Sequence, residues 1–226
     1  MKVMKTKIIT LLTAVIFVLA GVGITAMQNT AKEAQALLEE VKKDLKVRQN
    51  RKITFTNIIE TPAAVVGEKP RVLKEKGVVY IKGDLFRLEY GGNIYLFDGK
   101  KTYIIMPDDE EVTIMDANEE TAAITPTGIL KTLEQGKFSY RMGKTATKNG
   151  RKIQYIELKP VAASDLELIE IGIDMEQKQL VSFSERGMNK VVNKFVIEAQ
   201  EIDYKFPPGF FVFKKSDYPN YYIPGL

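Results

Sequence analysis

The stretch VVYIKGDLFRLEYGGNIYLFDGKKTYIIMP, Val78 to Pro107, decides how the rest of the chain is read. In DLFRLEY, Phe86, Leu88 and Tyr90 alternate with Arg87 and Glu89. That period of two turns one side of a strand to a core and the other to water. Gly91-Gly92-Asn93 turns the chain, IYLF follows, and Asp98-Gly99 is the strongest short hairpin signal a sequence offers. KTYIIM returns, and Pro107-Asp108-Asp109-Glu110 turns again into EVTIM. Consecutive hairpins specify an antiparallel meander, since parallel pairing needs a long crossover.

Working outward, KITFTNIIE repeats the pattern: Ile53, Phe55 and Ile59 share a face, and Lys52, Thr54 and Thr56 take the other. Upstream, Thr30-Ala31-Lys32-Glu33 has the form of a capping box, and Ala34, Leu37, Leu38, Val41 and Leu45 recur at helical spacing. A helix over about 31–47 follows from this pattern. Downstream, Thr125-Pro126 supplies an N-cap and an N1 proline, and Gly136 a stop, for a short helix over about 126–135. The remainder returns to strands: KFSYRMG, RKIQYIELKP, LELIEIGID, QLVSFSER and KFVIEAQEIDYKF, with turns at Asn149-Gly150 and between Asp174 and Lys178. The tail FPPGFFVFKKSDYPNYYIPGL is aromatic and Pro-rich, and is expected to pack across a sheet edge. About ten strands with two or three helices make an α+β chain, whose regular short strands fit a sandwich or a barrel.

Composition excludes much chemistry. Among 226 residues there is no His and no Cys. The usual neutral-pH general base is therefore missing, along with thiolate nucleophiles, thiolate metal sites, disulfides and a lipid-modified N-terminal cysteine. The N-terminus reads as an export signal: Lys2, Lys5 and Lys7, an apolar run from Ile8 to Ile24, and small residues at Thr25-Ala26. The expected division is an N-terminal segment, 1–26, cleaved after Ala26 as a signal peptide or retained as an anchor, and one domain, 27–226. Removing the signal lowers the net charge from +4 to +1, 30 basic against 29 acidic residues, so no electrostatic case for nucleic acid remains.

Three motifs invite chemistry and read better as structure. The run Asp108-Asp109-Glu110-Glu111 lacks the glycine and spacing of a calcium loop and reads as a solvated hairpin turn. Gly91-Gly92-Asn93 lacks a phosphate loop's lysine. Nothing selects a pair of carboxylates for glycoside hydrolysis. The aromatic surplus remains: Phe55, Tyr80, Phe86, Tyr90, Tyr95, Phe97 and Tyr103. Each reads singly as core. Collectively, on a curved sheet closed by a few short helices, they imply an imperfectly filled apolar cavity, a site for a hydrophobic ligand.

With these residues in view, the chain resembles the bacterial outer-membrane lipoprotein carrier family, the LolA-like proteins. The resemblance runs over essentially the whole expected mature length. GVVYIKGDLFRLEY and IYLFDGKKTYIIMPDDEEVTI are similar to the family's successive strands, and TPTGILKTL falls where the family places a helix over the barrel mouth. LELIEIGID, QLVSFSER and YKFPPGFFVF fit its later hairpin and C-terminal region. No single motif is diagnostic; the order of all of them carries the likeness.

The resemblance implies an incomplete, half-open antiparallel β-barrel of ten to eleven strands with short helices as a lid. It implies a periplasmic, monomeric, non-enzymatic carrier without metal or cofactor. Such a carrier takes lipoprotein acyl chains from an inner-membrane lipoprotein-releasing ABC transporter to an outer-membrane lipoprotein receptor. The expected cavity lining is Ile53, Phe55, Val79, Ile81, Phe86, Leu88, Tyr103 and Ile105. The expected lid residues are Ile124, Ile129, Leu130 and Leu133. Where well-studied members carry an arginine that ties lid to barrel, this chain has Gly83, leaving Lys82 and Arg87 as the nearby substitutes.

Overall fold

The computed structural model describes residues 30–65, 67–116 and 137–224. The expected signal segment, the helix at about 126–135 and the four lid residues lie outside them. Helix α1 spans 30–47, matching the amphipathic pattern. Eleven strands follow: β1 (Asn50–Thr61), β2 (Arg71–Lys82), β3 (Leu85–Tyr90), β4 (Asn93–Phe97), β5 (Lys101–Met106), β6 (Glu111–Asp116), β7 (Phe138–Lys148), β8 (Arg151–Pro160), β9 (Leu166–Asp174), β10 (Gln179–Gly187) and β11 (Val192–Ile202).

All eleven belong to one sheet, in the order β6-β5-β4-β3-β2-β1-β11-β10-β9-β8-β7. Every neighbouring pair is antiparallel. The strands thus follow a meander whose first and last members pair, Arg51 opposite Ile202 through Glu60 opposite Val192. Among the described strands β6 and β7 do not pair, which leaves a half-open barrel. Local chemistry sets the hairpins. Gly91 and Gly92 both hold positive φ (63° and 75°), as do Asn149 and Gly150 (50° and 76°). Two such central residues make the turn whose twist matches the flanking strands.

Ala34, Leu37, Leu38 and Val41 of α1 pack on Ile156, Leu158, Ile169, Ile171, Ile173, Leu180 and Phe183. The helix therefore covers β8 to β10 on one side, called here the helix side. Burying each of these large aliphatic side chains is worth about 1.5–3 kcal/mol. The tail, 203–224, lies on the opposite side. Tyr80 meets Tyr204 and Phe210 at ring-centroid distances of 6.1 and 5.0 Å, and Tyr103 stacks on Phe213 at 4.4 Å. The tail then runs along the β6 edge. The Tyr222 N–H donates to the Glu110 carbonyl at 2.8 Å, and the Tyr222 carbonyl accepts from the Val112 N–H at 2.9 Å. This matches the expected edge contact and satisfies edge groups that would otherwise invite another chain.

Candidate ligand-binding face

Register assigns each side chain to a side, because residues directly opposite in a ladder project the same way. Ile53 faces Val79, which faces Leu88, which faces Tyr95; Ile81 faces Phe86, which faces Phe97. All lie on the helix side, as does Arg51 opposite Ile81. Ile53, Phe55, Val79, Ile81, Phe86 and Leu88 form one buried cluster, with Tyr90, Tyr95, Phe97, Phe195 and Ile197 against it. Ile197 also packs against the α1 cluster, so the apolar surface is continuous across the sheet. No α1 side chain belongs to the β1–β4 part among the described residues.

Six of the eight expected lining residues are thus brought together. Tyr103 and Ile105 are not. Phe97 lies opposite Thr102 and Tyr95 opposite Ile104, so on β5 it is Thr102 and Ile104 that share the helix side. Tyr103 and Ile105 point to the tail side, in a separate cluster with Val112, Ile223 and Phe213. The cause is the tail: it buries the second face of β4 to β6, so KTYIIM is apolar at both parities and its sequence carries no alternation to read.

The aromatic rings are arranged closely. Phe55 lies 5.9 Å from Tyr90 and 5.0 Å from Phe195, and Phe86 lies 5.7 Å from Phe97. Gly77, opposite Phe55, makes room: a β-carbon there would sit 2.5 Å from Cζ of Phe55. At one edge of the cluster the Tyr90 hydroxyl accepts from the Asn57 amide at 2.9 Å. Burial raises the Tyr90 pKa above the ordinary phenol range, so it is a neutral hydroxyl.

At the opposite end, a cleft of about 290 Å³ opens between α1 and the β2–β3 turn, lined by Leu45, Lys46, Arg48, Arg51, Ile81 and Asp84 among others. Ile81 joins this cleft to the apolar cluster. Arg51, only 2% exposed, closes its floor. Its Nε donates to the Arg48 carbonyl at 2.7 Å, and one terminal nitrogen donates to the Asp44 carbonyl at 3.0 Å and to Oδ2 of Asp44 at 2.7 Å. The other terminal nitrogen reaches Oε1 of Gln200 at 3.4 Å. One side chain thus adds donors to carbonyls at and just beyond the α1 C-terminus, where the Asp44 carbonyl also accepts from the Arg48 N–H at 2.9 Å, and fastens that end to β1 and β11. Of the two substitutes expected for the lid arginine, Lys82 is exposed, and Arg87 sits on the tail side, ion-paired to Glu89 at 2.9 Å and over the Phe210 ring at 5.6 Å; the lid they would tie lies outside the described residues. Sequence reasoning misses Arg51 because a cation at a strand start reads as solvated, and no spacing signal points to its partner on the helix.

Among the described residues no group of three His, Cys, Asp or Glu is placed to hold a metal. The acidic run at 108–111 starts as a short 3-10 turn at Pro107–Asp109 without buried residues. Asp174 is fully buried, but its Oδ1 accepts from the Glu176 and Gln177 N–H groups and its Oδ2 meets Arg151 at 3.5 Å, a turn-forming role. Among the described residues no helix is long and apolar enough to cross a membrane.

The chain matches no family model, and no curated protein is significantly similar to it. Among solved structures it is similar to an uncharacterized conserved protein from Thermus thermophilus. That pair is 12% identical, covers 82% of this chain and 96% of the other, and has a TM-score of 0.52. It is also similar to LprF from Mycobacterium bovis, 11% identical over 79% and 97% of the two chains, with a TM-score of 0.48. A LolA superfamily protein from Nitrosomonas europaea is 10% identical over 81% and 98%, with a TM-score of 0.39. The first likeness establishes a shared fold. The half-open antiparallel sheet with a helix on one side agrees with the sheet architecture expected from the sequence.

Proposed function

We propose that this protein is a periplasmic carrier that holds the acyl chains of lipoproteins against the helix side of β1 to β4. The observation that carries this reading is the contiguous cluster of Ile53, Phe55, Val79, Ile81, Phe86 and Leu88, bordered by four further aromatic rings, on a part of the sheet that α1 leaves to other cover. Carrying an acyl chain through water requires a substitute for the bilayer, at about 0.8 kcal/mol per buried methylene. Release requires that the affinity stay below the maximum. A covering segment that closes over the empty site and is displaced by the chain lowers net affinity in this way. Ile124, Ile129, Leu130 and Leu133 are proposed to form that cover. The donor is proposed to be an inner-membrane lipoprotein-releasing ABC transporter and the acceptor an outer-membrane lipoprotein receptor, with the carrier acting as a monomer.

Native mass spectrometry of the purified protein before and after delipidation tests the reading. Bound lipid on the parent, and its loss from a folded Phe86→Glu variant, are the expected results. A lipid-free parent carrying a stable protein partner would overturn it in favour of a sensor or binding module built on the same fold.

A further inference from the structure

Hydrogen-bond acceptors gather at one place on the helix side and lack donors. The amide oxygens of Asn57 and Asn193 are out of contact with water and accept no hydrogen bond among the described residues. Asn57 is 7% exposed, and its amide nitrogen is committed to the Tyr90 hydroxyl. Asn193 on β11 lies opposite Ile59 on β1 and opposite Glu185 on β10. Asn57 lies two residues before Ile59 on the same face, opposite Phe195. Directly opposed β-carbons are about 4.5–5.5 Å apart and diagonal ones about 7–8 Å. Asn57, Asn193 and Glu185 therefore form an oblique row across three adjacent strands; Glu75, opposite Asn57 on β2, is exposed, accepts from the Tyr90 hydroxyl and stands outside the row.

The surroundings are apolar. Phe183 and Phe195 lie two residues along from Glu185 and Asn193, and Ile169 lies opposite Glu185. Burial raises the Glu185 carboxyl above the usual carboxylate range, and no neighbouring donor or cation among the described residues offsets it. Unpaired buried acceptors are costly and rare in folded proteins. Two amide oxygens and a desolvated carboxyl side by side offer acceptors and no donor. They match a group with several N–H donors, and an ammonium has three. Phe55, two residues before Asn57 on the same face, joins the row directly to the apolar cluster.

We propose that this row binds a primary ammonium group attached to the acyl chains held by the neighbouring cluster. The inference rests on the lipid-binding reading and specifies its polar end. The amine can belong to a lipid headgroup or to the N-terminal cysteine of a diacylated lipoprotein, and paired probes separate these sources. Lysophosphatidylethanolamine and lysophosphatidylcholine of one chain length differ in N–H donors. A diacylated lipopeptide with a free α-amine differs likewise from its N-acetylated form. Binding is measured by calorimetry on the full chain. The expected result is a preference of about tenfold or more for the free amine in at least one pair. That preference should fall to about one in both Glu185→Gln and Asn193→Leu. A preference only in the lipid pair assigns the headgroup; one only in the lipopeptide pair assigns the lipoprotein amine. Equal binding within both pairs by the parent, or a preference that survives either substitution, overturns the row while leaving the apolar site standing. Failure to bind any of the four probes removes the lipid reading and this inference together.

Discussion

Replacing Asp44 with alanine strands a buried guanidinium. Arg51 is 2% exposed at its side chain, and Asp44, 14% exposed, is its partner at 2.7 Å. Removing one member of a buried ion pair costs about 3–5 kcal/mol, because the other charge stays desolvated. Three of the Arg51 hydrogen bonds survive, to the carbonyls of Arg48 and Asp44 and to Gln200, which places the expected cost near the lower end, about 3 kcal/mol. Arg51→Met acts differently. Asp44 keeps a second cation, Arg48, at 3.3 Å and its carbonyl keeps the Arg48 N–H, so the Arg48 carbonyl and Gln200 are the acceptors left without the guanidinium. About 1–3 kcal/mol is expected there. In the double variant no orphaned charge remains, so the cost should resemble that of Arg51→Met alone. The two losses should therefore fall short of additivity by about 3 kcal/mol, the cost of Asp44→Ala alone. Urea unfolding of the parent and three variants measures this, and hydrogen exchange on α1 shows whether the lost stability appears at its C-terminal turn. Strict additivity would refute the view that Arg51 anchors α1 through a desolvated pair.

Gly77→Ala should cost about 1–3 kcal/mol in thermal or denaturant unfolding. The added carbon would lie 2.5 Å from the Phe55 ring and 3.0 Å from the Glu89 carbonyl, and that carbonyl cannot retreat without disturbing the β2–β3 ladder; a neutral outcome would mean the ring is not seated as described. Asp98→Asn should lose stability in a pH-dependent way. Burial alone would raise the Asp98 pKa, but N–H donors from Lys101 and Lys100 and the Tyr103 hydroxyl outweigh it and lower it below the usual range. A lowered carboxyl stabilises the fold above its unfolded pKa of about 4 and ceases to do so as pH falls through the folded value. The parent–variant difference should thus be steady near neutrality and vanish in acid; a difference unchanged at low pH would count against it. Glu185→Gln has the opposite sign. With a raised pKa in the fold, ionisation destabilises, so the variant should be the more stable protein at neutral pH, with the gain shrinking as pH falls from the raised folded value to the ordinary glutamate range and gone below it. Unfolding curves across pH that show no such gain would contradict the desolvation of Glu185.

The hairpins and α1 are legible in the chain because their signals are local. Alternation in DLFRLEY, the glycines at 91–92 and the 3.6-residue spacing from Ala34 to Leu45 each involve residues within a few positions of one another. The same locality places Ile53, Phe55, Val79, Ile81, Phe86 and Leu88 on one face, all on strands with one polar face or a clear neighbour. It fails at Tyr103 and Ile105, where the distant C-terminal tail supplies the second apolar face. Arg51 and the Asn57–Asn193–Glu185 row are equally out of reach, since each depends on the pairing of β1 with β11, which brings together residues as far apart in the chain as Arg51 and Gln200. Side-chain period fixes which residues share a face. What covers that face, and which polar groups meet across it, follows from long-range pairing, and only the folded chain holds that information.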